Sequence, residues 1–135
     1  MPKRDPRNVF HLAIPCRDLE EARRFYVDRL GCQLARQYED RITLDFFGDQ
    51  LVCHLSPDEI DATPEMYPRH FGITFLDGSA FDTLMEHARR EGLEFLQEPF
   101  TRFAGRREVH RTFFLVDPSN NVLEFKHYDD PDMMY

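Results

Sequence analysis

Four side chains in this 135-residue sequence are of the types that do metal or acid–base chemistry and sit in unusual company: His11, His54, His70 and Glu124. His11 lies in Phe10-His11-Leu12-Ala13-Ile14, and Glu124 in Val122-Leu123-Glu124-Phe125-Lys126. Each is a short apolar run with one metal-competent group inside it. Side chains alternate across a strand. Leu123 and Phe125 therefore face one way and Glu124 the other, while Phe10, Leu12 and Ile14 oppose His11 and the small Ala13. His70 opens an alternating run in which Phe71, Ile73 and Phe75 take the core face and His70, Gly72 and Thr74 the other. A carboxylate or imidazole on a strand built for burial is costly unless paired or liganded. One histidine on a half-buried strand is more often a hydrogen-bonded core residue than a ligand. Two histidines and one glutamate, each on the polar side of an apolar strand, point to a metal. That donor set suits Fe2+, and also Mn2+, Ni2+, Co2+ or Zn2+.

The elements that would position these groups follow from periodicity and punctuation. Strand one spans 9–14 and Pro15 ends it, after an arm at 1–8 that reads as loose. Asp18 caps a helix over about 19–30, with Glu20 and Glu21 in the turn where the helix dipole favours acids. Leu19, Ala22, Phe25, Tyr26 and Leu30 form its apolar stripe, and Gly31 closes it. Strands follow at 33–38, 41–47 and 51–55, with His54 near the far end of the last. Residues 56–69, carrying Pro57, Pro64 and Pro68, read as a linker. Strand 70–75 leads to Ser79, which is expected to cap a helix over 80–91 closed by Gly92. Strands at 93–97, 109–116 and 122–126 complete the pattern, separated by an Arg-rich loop at 99–107 and the turn Asp117-Pro118-Ser119-Asn120-Asn121. The acidic end, 128–135, reads as a second loose tail.

The two halves repeat. Each is strand, helix, Gly, strand, strand, turn, strand, over about 9–55 and 70–127. His11 precedes Phe25 by 14 residues, and His70 precedes Leu84 by 14. Repeats define an architecture. The expected fold is α+β: two βαβββ modules forming a curved mixed sheet around a cup-shaped site, in a single domain over 9–127. This pattern, with Phe-His-Leu-Ala-Ile-Pro-x-x-Asp-Leu, Phe25-Tyr26, Leu30-Gly31, His70-Phe71-Gly72-Ile73 and Phe114-Leu115-Val116-Asp117-Pro118-x-Asn-Asn-x-Leu-Glu124-Phe125, resembles the vicinal-oxygen-chelate superfamily. That group holds glyoxalase I, extradiol ring-cleaving dioxygenases, and fosfomycin- and bleomycin-resistance proteins. The resemblance implies that His11, His70 and Glu124 hold one divalent metal. Glyoxalase-like members add a fourth ligand, commonly Glu, at the position that the resemblance aligns with His54. The ring-cleaving dioxygenases use the three-ligand set alone. His54 departs from both patterns, with ligand, acid/base and pocket-lining roles all open to it. The resemblance also implies a homodimer, sometimes with modules exchanged between chains.

Composition narrows the partners. A net charge of -8 disfavours nucleic acid and anionic membrane surfaces, while leaving room for a small anionic substrate at a locally different field. No apolar run approaches the roughly 20 residues needed to span a bilayer, and the basic start has no apolar stretch behind it, as a secretory signal would. Cys16, Cys32 and Cys53 are odd in number and scattered, so they read as reduced buried thiols of a cytoplasmic protein. No Gly-rich phosphate loop or Gly-x-Ser-x-Gly elbow is present.

Other residues have a bland and a functional reading. His87 sits among Glu86, Arg89 and Arg90 on a helix and reads as surface, and His127 as peripheral. His110 and Arg111 open a strand; either could be a strand edge, an acid/base group or an oxyanion contact. Arg102, Arg106 and Arg107 could be a solvated face or a grip for carboxylate or phosphate. The expected function is a metal-dependent enzyme of the glyoxalase or dioxygenase kind. It would bind a small substrate through vicinal oxygens on the metal, with His54 or His110 carrying the proton. The alternative is a metal-free protein of the bleomycin-resistance type that sequesters a ligand.

Overall fold

A computed structural model describes residues 4–135; the start of the expected N-terminal arm, Met1 to Lys3, lies outside the described residues. The strands are β1 (His11–Cys16), β2 (Gln33–Gln37), β3 (Arg41–Phe46), β4 (Asp49–Leu55), β5 (Phe71–Thr74), β6 (Phe95–Arg102), β7 (His110–Val116) and β8 (Val122–Tyr128). Helix α1 (Leu19–Arg23) follows β1, and α2 (Gly78–Arg90) follows β5. The order is βαβββ twice. Two four-stranded mixed sheets result, with strand orders β1-β4-β3-β2 and β5-β8-β7-β6, and neither closes. In each sheet the edge pair β1–β4 or β5–β8 is parallel, and the remaining pairs are antiparallel.

By contact the chain forms two compact units. One comprises the residues up to Thr63 together with Asp117–Asn121, the other Pro64–Val116 and Val122–Tyr135. In the first unit, Asp18 accepts from the Glu21 N–H at 2.8 Å and starts α1. The helix then widens to a π-helical segment over Arg24–Arg29, where the Leu30 N–H reaches the Phe25 carbonyl. Ala22, Phe25, Tyr26 and Leu30 are all buried, as the periodicity predicts. The Asp117–Asn121 turn belongs to this unit because its aspartate is tied there: the Tyr26 hydroxyl donates to Asp117 at 2.6 Å, and the Asn121 side chain reaches the Pro15 carbonyl at 2.9 Å. In the second unit α2 buries Phe81, Leu84 and Ala88, with Phe81 against Phe113.

Several boundaries differ from the sequence expectation, each for a physical reason. Pro15 lies inside β1 rather than ending it; β1 is an edge strand, where a missing N–H leaves no ladder bond broken. Asp77, not Ser79, caps α2: its carboxylate accepts from both the N–H and the hydroxyl of Ser79, so the serine becomes a donor. Strand β6 runs on through Pro99 into the expected loop, to Arg102. It too is an edge, and register shifts around Gln97 absorb the proline. At the acidic end Pro131–Met134 forms a 3-10 turn that Asp130 caps. Cys16, Cys32 and Cys53 are free and buried, and burial pushes the Cys16 thiol up to about 11 and Cys32 up to about 12. Among the described residues no helix is long and apolar enough to cross a membrane.

Candidate metal centre

His70 and Glu124 meet. The His70 Nε2 lies 3.0 Å from Glu124 Oε1. Parallel pairing of β5 with β8 brings them together, with Gly72 directly opposite Glu124. The approach needs glycine: a Cβ at Gly72 would lie 1.6 Å from the Glu124 backbone oxygen. Both partners are held from behind. The His70 Nδ1 is 2.6 Å from the Met66 carbonyl, which can only accept, so Nδ1 carries a hydrogen, and in the neutral ring Nε2 presents its lone pair. Buried Thr112 donates its hydroxyl to Glu124 Oε2 at 2.6 Å.

This geometry suits a divalent ion. A neutral His70 would set a nitrogen lone pair against a carboxylate oxygen, which is repulsive unless a second proton or a cation sits in the gap. Two ligands each about 2.1 Å from one ion, and about 90° apart around it, lie about 3.0 Å from each other. The donors already have the outer partners that orient metal ligands.

His11 belongs to the first unit, on β1. It faces away from buried Ile14 and Cys16, as alternation predicts. Its Nδ1 is 2.7 Å from Gln50 Oε1, and the register pairs the two residues directly. The amide oxygen accepts from Nδ1, and in the neutral ring Nε2 is left as an acceptor. Gln50 went unnoticed in the sequence because parallel register is not legible locally; its only local signal is a polar residue next to the apolar run 51–53. His54 pairs with Pro15, four residues further along β4 than Gln50, which at strand rise is about 13 Å away. One ion cannot take both His11 and His54. Among the described residues no three His, Cys, Asp or Glu side chains gather as a ready metal cage.

The face of the second sheet that carries Glu124 also carries Phe114, Thr112, His110, Lys126, Tyr128 and, on β6, Arg102, by alternation and register. His110 is buried, its Nδ1 hydrogen tied to the Glu108 carbonyl at 2.9 Å and its ring 4.4 Å from that of Tyr128. Its Nε2 makes no hydrogen bond among the described residues. Arg111 points to the opposite face, where it pairs with Asp82 at 2.7 Å and lies over the Phe81 ring; the oxyanion role considered for it does not fit. Arg106 pairs with Glu108 and Arg107 with Asp130. Arg102 lies on the Glu124 face by its register with His110 and donates to the Tyr67 hydroxyl at 2.6 Å. His127 faces away too, its Nδ1 2.9 Å from the Phe75 carbonyl.

Comparison with known proteins agrees with this architecture. The structure is similar to that of a glyoxalase/bleomycin resistance protein/dioxygenase from Alicyclobacillus acidocaldarius, at 62% identity and a TM-score of 0.96 over 98% of this chain and 100% of that one. The fold also matches the fosfomycin resistance protein FosX from Listeria monocytogenes, at 13% identity, a TM-score of 0.71, and 94% and 98% coverage. It matches lactoylglutathione lyase from Agrobacterium tumefaciens at 16% identity, a TM-score of 0.67, and 92% and 96% coverage. A curated relative, the glyoxalase domain-containing protein RDO1 of Mycosarcoma maydis, is 23% identical over 92% of this chain and 70% of its own length. The profile of the Glyoxalase/Bleomycin resistance protein/Dioxygenase superfamily matches residues 8–125, and the chain belongs to that superfamily.

Proposed function

We propose that the chain is a metal-dependent enzyme acting on a small molecule, with one divalent ion held by His11, His70 and Glu124. The observation that carries this reading is the His70–Glu124 pair: a nitrogen and a carboxylate oxygen 3.0 Å apart, each residue fixed by an outer partner. A bound ion would supply Lewis acidity to neighbouring oxygens of the substrate. The protein does the rest. Thr112 and Met66 hold the donors in place, so little reorganisation accompanies binding. His110 shares the Glu124 face but stands four residues along β7 from Phe114, the partner of Glu124, so its proton role is at a part of the substrate remote from the metal pair. His54 stands too far along β4 to act at the His11 row, and any proton role for it is at a remote part of the substrate. His11 comes from the first unit of the same chain or of a second copy in a homodimer.

Elemental analysis of untagged protein tests the reading. About one equivalent of Fe, Mn, Ni, Co or Zn per chain is expected, lost in His11→Ala and in Glu124→Ala. No metal in the native protein, even after incubation with each ion, refutes it and turns the search to a sequestered ligand. Where a metal is found, its identity chooses between oxygenase and lyase assays.

A further inference from the structure

We infer that the face beside the His70–Glu124 pair is built for an organic anion: a carboxylate or phosphonate on an aromatic or apolar body, gripped by Arg102 and Lys126. This deepens the proposed function by naming a substrate class for the same site.

The chain carries 25 acidic and 17 basic residues, so a cation has many carboxylates to choose from. Most arginines take one: Arg17 with Glu21, Arg89 with Glu98, Arg107 with Asp130, Arg111 with Asp82. Arg102 and Lys126 do not. Among the described residues neither forms an ion pair with a carboxylate. Arg102 instead donates to the Tyr67 phenol and lies 5.2 Å over the Phe103 ring. Lys126 Nζ sits 3.5 Å from the Tyr128 hydroxyl and 5.5 Å from its ring centre. Both cations are on the Glu124 face by alternation and register. If Glu124 ligates the metal, its charge is committed there.

Position agrees. Tyr67, which holds Arg102, is in edge contact with the His70 ring at 5.8 Å between centres. So the guanidinium is one side chain removed from the metal pair. Between the two cations lies an apolar wall: the Tyr128 ring against His110, and Phe103 against His110. Arginine keeps donors in hand after binding one phenol, and its planar fork matches a carboxylate or phosphonate. Aromatic walls around a few placed charges are how small-molecule sites combine affinity with orientation.

Phenylacetate and its neutral isostere phenylacetamide test the proposal, titrated by calorimetry into the purified protein before and after chelator treatment. Phenylacetate is expected to bind about tenfold or more tightly than phenylacetamide in both preparations. Arg102→Met should weaken phenylacetate about tenfold and leave phenylacetamide unchanged; Lys126→Met should act in the same direction, and Arg102→Lys should retain part of the preference. Equal binding of the two probes, no detectable phenylacetate binding, or indifference to Arg102→Met overturns the proposal. Metal content separates this from the broader reading. Arg102→Met should hold as much metal as the native protein, and a protein that holds no metal yet still prefers the anion refutes the metal while leaving the anion site standing.

Discussion

Replacing Tyr26 with phenylalanine removes one oxygen from a fully buried side chain and changes its shape very little. That oxygen donates to Asp117 at 2.6 Å across 91 residues of sequence. Asp117 is itself buried and takes three more donors: the Ser119 N–H at 2.8 Å, the Asn121 N–H at 2.9 Å and the Asn121 side chain at 2.8 Å. Burial pushes its carboxyl above the ordinary 3.8, while these donors, Tyr26 first, pull against the rise. The folded chain thus holds the Asp117 proton more tightly than the unfolded chain does. This contribution to stability is full below 3.8 and is lost as pH rises through the folded value. Removing the Tyr26 hydroxyl raises the folded value further, so the variant loses more over the same rise. At about pH 7.5 the lost bond is to a charged acceptor and should cost about 1.5–3 kcal/mol, whereas at about pH 4 it is a neutral bond and should cost about 0.5–1.5 kcal/mol. Urea unfolding at the two pH values reads this directly. With a slope of about 1–3 kcal/mol/M, the midpoint should fall by about 1 M at the higher pH and by half that or less at the lower. Asp117→Asn should abolish the pH dependence of the Tyr26 effect. An equal cost at both pH values would refute the reasoning, because it would mean that Asp117 carries the same charge at both within the fold.

Two further outcomes follow from the strand pairing. Gly72→Ala drives a Cβ to 1.6 Å from backbone oxygen, so β5 must part from β8; a loss of about 3 kcal/mol or more in urea unfolding is expected, and a loss below about 0.5 kcal/mol would contradict the close approach. Thr112→Val keeps the side chain's shape and deletes the donor to Glu124; metal affinity measured by competition with a chelator should weaken about 10- to 100-fold, and unchanged affinity would show that Glu124 needs no support from Thr112.

The sequence by itself determined the repeat, the strand faces and the buried stripe of each helix. These depend on periods of two and of 3.6 residues, which are local. Alternation alone put His11 opposite Ile14, and Glu124 opposite Leu123 and Phe125, and the structure keeps both. What it could not determine is who stands beside whom across strands. That Gln50, not His54, accompanies His11 follows from the β1–β4 register, and register is set by pairing between segments some forty residues apart. The choice of Arg102 over Arg106 and Arg107 depended on β6 running on past Pro99, which only an edge position permits. Tyr26 and Asp117 look like a core aromatic and a turn aspartate until the fold closes 91 residues of chain between them. Local chemistry is written in the order of residues; the partners that turn a side chain into a ligand, a base or an anion grip are chosen by contacts that exist only once the sheets have formed.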